Sequence, residues 1–152
     1  MIYNRTEADV KNAALLRAKM QSGQTLTASE RTAFERGSCT VNMLNRIEGK
    51  TAQLYERLRG AWYFPEAIVT REWENGEYFD AAQHARLLEN VRALIRAYMV
   101  YADTPAVPMY LYGYEQANAV ERNLHDLETL LDGMIASYRE CGTFECGEEN
   151  ET

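Results

Sequence analysis

Two Asn-x-x-Glu pairs, Asn45/Glu48 and Asn118/Glu121, are the residues whose types and spacing come nearest to chemistry. Members three apart project from one side of a helix, so each pair sets an amide and a carboxylate beside an apolar seam. Paired carboxylates can do general acid–base work. They can also hold two metal ions, but a bundle of that kind supplies Glu-x-x-His, and neither His84 nor His125 stands three residues after a glutamate. The structural reading is stronger. An asparagine and a glutamate in the first turns of a helix exchange hydrogen bonds with a neighbouring helix end or with Arg5, because buried polar groups need partners. A carboxylate enzyme using Glu48 and Glu121 is the minor alternative.

The other reactive side chains point the same way. His84 continues an 84-87-91-94 stripe and reads as a core or interface histidine, whereas His125, flanked by Glu121 and Glu128, reads as part of a solvated helix face. Cys141 and Cys146 lack the two further ligands that a zinc site needs, and Cys39 opens a helix, so all three cysteines are expected as reduced thiols. No Gly-x-Gly-x-x-Gly, Walker loop, Gly-x-Ser-x-Gly elbow or His-Glu-x-x-His occurs. No catalytic residue, metal or cofactor is expected, and the chain reads as a non-enzyme.

The elements that must position these pairs are helices. Thr6 with Asp9 has the spacing of a capping box and opens a helix over about 6–22, with Val10, Ala13, Ala14, Leu16 and Met20 as its face. Thr27 with Glu30 opens a short helix, 27–36, anchored by Phe34. Val41, Leu44, Ile47, Leu54 and Leu58 mark a third over about 40–59, ending at Gly60. Asp80 caps a fourth, about 80–102, whose stripe runs from Leu87 through Val91 and Leu94 to Tyr98 and Tyr101, widened by Leu88, Ile95 and Met99. The fifth, about 114–140, steps 3-4-3-4-3-4 through Ala117, Val120, Leu124, Leu127, Leu131, Met134 and Tyr138. Residues 67–79 change to β-branched and aromatic types with an Asn75-Gly76 turn signal and predict extended chain or a small hairpin. The expected fold is an all-α bundle of four main helices plus the short one, a single domain over 1–140, followed by a flexible acidic tail, 141–152.

An offset of 73 residues lays Leu44-Asn-Arg-Ile-Glu48 on Ala117-Asn-Ala-Val-Glu121, and Leu54 and Leu58 on Leu127 and Leu131. This predicts two related helix pairs, 6–58 and 80–138, burying their stripes in a four-helix core. Of 152 residues, 16 are Lys or Arg and 23 Asp or Glu, a net charge of −7, and Glu145, Glu148, Glu149 and Glu151 fall in the last eight. That balance argues against a nucleic-acid platform, and the short apolar runs argue against insertion in a membrane. The opening residues lack the apolar core of a signal peptide.

The remaining unusual feature is a concentration of rings near the two breaks between long helices. Trp62, Tyr63, Phe64, Trp73 and Tyr78 lie in the first, and Met109, Tyr110 and Tyr112 in the second. Such side chains either close the ends of a bundle or form a docking surface for another chain or a second copy of this one.

Several segments, taken in order, carry a family resemblance: Tyr3-Asn-Arg-Thr-Glu-Ala-Asp-Val10, Leu26-Thr-Ala-Ser-Glu30, Asn42-Met-Leu-Asn-Arg-Ile-Glu48, Trp73, Glu89-Asn-Val91, Thr104-Pro-Ala-Val-Pro108 and Ala117-Asn-Ala-Val-Glu121. This set resembles a helical module of tail-associated structural proteins in phages and prophages of Gram-positive gut bacteria, over residues 3 to 140. The resemblance implies a non-enzymatic virion component of the tail, baseplate or adsorption apparatus, present in the host cytoplasm during assembly and then in the virion. Without an appended carbohydrate-binding or immunoglobulin-like domain, the expected role is a connector that docks on other virion proteins. The alternative is a stand-alone cytoplasmic helical adaptor for a host protein, its acidic tail steering it to a basic surface.

Overall fold

The structure is a computed structural model that describes residues 1–140; the expected acidic tail, with Cys141 and Cys146, lies outside them. The described residues form five helices and no strand: α1 (Glu7–Gln21), α2 (Ala28–Gly37), α3 (Val41–Gly60), α4 (Ala81–Ala97) and α5 (Tyr114–Glu140). The all-α class is therefore the one expected. Local chemistry sets the starts. Thr6 and Thr27 make full capping boxes with Asp9 and Glu30, and Thr40 and Asp80 accept from the amides of Met43 and Gln83, satisfying N–H groups that a helix leaves free. No helix of the described residues is long and apolar enough to cross a membrane.

The core lies among α3, α4 and α5. Ile47, Leu54 and Leu58 of α3, Leu87, Leu88, Val91 and Leu94 of α4, and Val120, Leu124, Leu127 and Leu131 of α5 are almost entirely buried. Each contributes about 1.5–3 kcal/mol by leaving water. The three helices run parallel. Ion pairs join Arg46 to Glu121, Lys50 to Glu128 and Arg57 to both Glu128 and Asp132, at sequence separations of 71 to 78 residues that stay nearly constant along the pair. Glu48 of α3 likewise meets Arg86 of α4, each in an early turn. Parallel neighbours oblige the chain to travel back along the bundle between helices. Residues 61–80 and 98–113 do this as irregular extended chain, which at about 3.3 Å per residue easily spans the roughly 30 Å length of α3.

Four details refine the expectation. First, α1 supplies nothing to the main core: Ala13 and Leu16 are buried, but Ala14 and Met20 are exposed, and α1 packs chiefly on α2. Its apolar face is narrow enough to be covered by one short helix. The two approach so closely that a Cβ on Gly37 would fall 2.0 Å from the Asp9 carbonyl oxygen. Second, α4 stops at Ala97, with Tyr98 at φ −133, ψ −126. The Tyr98 ring turns edge-on to Tyr63, 4.7 Å between centroids, while Met99 and Tyr101 are exposed rather than on a helical stripe. Third, residues 67–79 take the extended form, one of the two expected, since helix side chains rather than a second strand take up their backbone groups; Asn75-Gly76 does turn, with Gly76 at φ +94. Fourth, α3 runs through Gly60, and Trp62 takes the left-handed position at φ +64. The amide of Tyr63 donates to the Leu58 carbonyl at 2.9 Å and that of Trp62 to Arg59 at 3.1 Å, the pairing of a Schellman cap in which glycine is usual.

Candidate functional site

The second Asn-x-x-Glu pair grips the beginning of the chain. Asn118 Nδ2 donates to the Arg5 carbonyl at 2.9 Å, while the Arg5 amide donates to Asn118 Oδ1 at 3.1 Å. One side-chain amide thus meets both backbone groups of one residue, as a neighbouring strand would. Three positions on, Glu121 has no exposed surface. It accepts from Arg5 Nη2 at 2.8 Å, from Arg46 Nη2 at 2.7 Å and from the Ile2 amide. Arg5 is itself buried, its Nε donating to the Arg36 carbonyl at 3.0 Å. The extended residues 2–5 are therefore a strap across α5, and Arg5 ties that strap to the end of α2.

The first pair does the same for the connection between α3 and α4. Asn45 Nδ2 donates to the Trp73 carbonyl at 3.0 Å, and the Trp73 amide donates to Asn45 Oδ1 at 2.7 Å. Glu48 accepts from the indole Nε1 at 3.2 Å and from the Arg86 guanidinium. Trp73 is only 3% exposed, its ring edge-on to Phe79 with the Arg71 guanidinium 4.1 Å above it. This corrects its expected place on a partner surface: its indole N–H has a buried carboxylate to meet, so the whole ring goes inside.

Two further amides belong to this system and were missed. Asn90 of α4 donates to the Val69 carbonyl at 2.8 Å and accepts from the Val69 amide at 3.3 Å; Asn123 of α5 donates to the Pro105 carbonyl at 2.7 Å. Thr104 donates to Asp126 at 2.6 Å and Arg92 to the Pro108 carbonyl at 2.7 Å. A signal existed for Asn90: it falls three residues after Leu87 on the apolar face, where an amide must find partners.

Glu121 is closed to solvent, and Glu48 reaches only the floor of a depression lined by Asn45, Thr70 and Arg71, with both its oxygens already engaged. The arrangement therefore holds chain segments in place, with the oxygens of Glu48 and Glu121 taken up by these donors. His84 lies tilted against Phe79, centroids 3.9 Å apart, and His125 stacks on Tyr3 at 4.8 Å. Cys39 borders a cavity of about 240 Å³ beside the α5 start. Although the residue as a whole is exposed, desolvation there pushes its thiol up, against a weaker pull from the Arg5 charge, which disfavours the thiolate. Among the described residues no three His, Cys, Asp or Glu side chains come together as metal ligands.

The other residues expected on a partner surface divide between the two ends of the bundle. At the leading end, where α3, α4 and α5 begin, Tyr78, Met109, Tyr110 and Tyr112 are 84%, 74%, 53% and 80% exposed. Tyr110 and Tyr112 stack at 5.3 Å, with His84 6.1 Å from Tyr112, and buried Leu111 between them fixes the segment. At the trailing end, Trp62 and Phe64 are exposed and Tyr63 is half-buried against Tyr98. Comparison with models of known families, with curated proteins and with solved structures gives no match.

Proposed function

We propose that this protein is a non-enzymatic structural component of a phage or prophage virion, in the tail, baseplate or adsorption apparatus, that docks on other virion proteins through the leading end of its bundle. The observation that carries the reading is the stacked, exposed pair Tyr110 and Tyr112 held on either side of buried Leu111, with Met109 and Tyr78 also exposed at this end. Rings held this way lose little conformational freedom on contact and bring large apolar area with a polar tip, the composition of interface centres. The clamps support the same reading, since they give the connecting segments one fixed course. The ordered motifs from Tyr3 to Glu121 that resemble tail-associated modules supply the virion context.

The test is to induce the host, purify particles and look for the chain by mass spectrometry. The expected result is the chain in particles at a fixed ratio to tail proteins, with Tyr110→Ser/Tyr112→Ser lost from particles while keeping its helical circular dichroism. A chain that stays wholly in the particle-free fraction, bound to a host protein, overturns the reading in favour of the cytoplasmic adaptor.

A further inference from the structure

At the trailing end α5 outruns its neighbours. Its apolar stripe continues through Met134 and Ile135, half-buried against the core, to Tyr138, which is 75% exposed. Between these turns and the cap of α3 lies a groove of about 620 Å³, lined by Trp62, Tyr63, Met134, Ile135 and Tyr138 with Arg57 at one side. Trp62 adds a second peculiarity. A bulky residue in the left-handed region costs about 1–2 kcal/mol, yet this indole is 83% exposed and gains nothing back from the described fold.

We propose that the occupant of this groove is the chain's own segment 141–152, with Phe144 as the side chain that enters it. The segment leaves α5 beside the groove, two residues after Tyr138. Its reach is right: Met134 lies six residues, about 9 Å, before Glu140, and Phe144 lies four residues beyond, about 13 Å of extended chain. A chain that reverses after α5 therefore brings Phe144 back to the level of Met134. Gly142 stands where a reversal out of a helix commonly has glycine. Phe144 is the one large apolar residue of the segment. The seat is built on this chain alone and is independent of the virion reading; it leaves the leading end for partners.

The chain's two tryptophans make the test direct, because Trp73 is buried and Trp62 is not. Acrylamide quenching and emission maximum are measured on the full chain, on Phe144→Ala and on Phe144→Leu, with Trp62→Phe identifying the Trp62 contribution and light scattering giving the mass. The expected result is a monomer whose Trp62 is shielded and blue-shifted, with both properties lost in Phe144→Ala and largely restored in Phe144→Leu. Equal quenching of Trp62 in all three chains overturns the proposal. So does shielding that grows with protein concentration alongside a dimer mass, which makes a second copy the occupant.

Discussion

An asparagine side chain carries a carbonyl and an amide N–H side by side, the same pair that an adjacent strand would offer. In a bundle whose connections are extended, the passing backbone has no ladder to join, and its buried polar groups still require partners. Asn45, Asn90 and Asn118 each answer this by binding both backbone groups of one residue. The glutamate three residues after Asn45 and after Asn118 then fixes the side chain of the residue so held. Glu121→Gln leaves the Arg5 guanidinium, 2% exposed, without its carboxylate. Breaking a buried pair from one side costs about 3–5 kcal/mol, so Tm should fall by roughly 10 °C for a domain of this size. Glu48→Gln should cost less, because Arg86 is 20% exposed and keeps some water. Thermal unfolding followed by circular dichroism ranks the two; equal small losses would show that the strap is not held through Glu121. The spacing of both pairs was legible in the sequence, and so was Arg5 as a partner. The fate of Trp73 was not, because residue type alone makes every tryptophan a candidate for a half-wet surface.

Among the elements, the α1–α2 pair is the least embedded, and its electrostatics make it acid-sensitive. The hydrogen bond from Lys19, then that from the Thr27 backbone, lower Glu30 from its ordinary 4.5 to about 2; the Thr6 backbone lowers Asp9 in the same direction. A group depressed in the folded state gives stability that is complete above its unfolded pKa and lost as pH falls through its folded value. The window for Glu30 therefore runs from about pH 4.5 down to about pH 2. Within it, α1 and α2 should loosen before α3–α5, whose core does not include them. Amide NMR signals followed from about pH 6 to about pH 2 should show residues 7–37 shifting first, and Glu30→Gln should abolish most of that acid step. Simultaneous loss of all helices would show that the pair is no separate unit. The caps of these helices were readable because capping is local. Their docking was not, since a face with Ala14 and Met20 exposed differs little in pattern from a buried one.

At the scale of the whole molecule, the direction of α4 and α5 was the hardest thing to read. A 3-4 repeat says which face of a helix is buried and is silent on whether its neighbour runs up or down. The stronger clue was connection length: antiparallel neighbours need only short loops, whereas residues 61–80 and 98–113 are long enough to return along the bundle. The 73-residue offset between Asn45/Glu48 and Asn118/Glu121 now has a physical setting, because it is close to the 71–78 residue separations that join α3 to α5. Corresponding positions therefore lie side by side, and the charges Arg46, Lys50 and Arg57 face Glu121, Glu128 and Asp132 in order. This register fixes the two ends as chemically different, tyrosine-rich at the start of the helices and tryptophan-bearing at their close. It also gives a distance test. With Cys39, Cys141 and Cys146 replaced by serine, spin labels on Glu56→Cys and Asp132→Cys sit on adjacent helices about 10 Å apart at the same level. Labels on Asn42→Cys and Asp132→Cys are offset by a further fourteen residues of α3, about 21 Å along the axis. The second pair should read longer by roughly 10–15 Å, and the reverse order would mean that α3 and α5 run antiparallel.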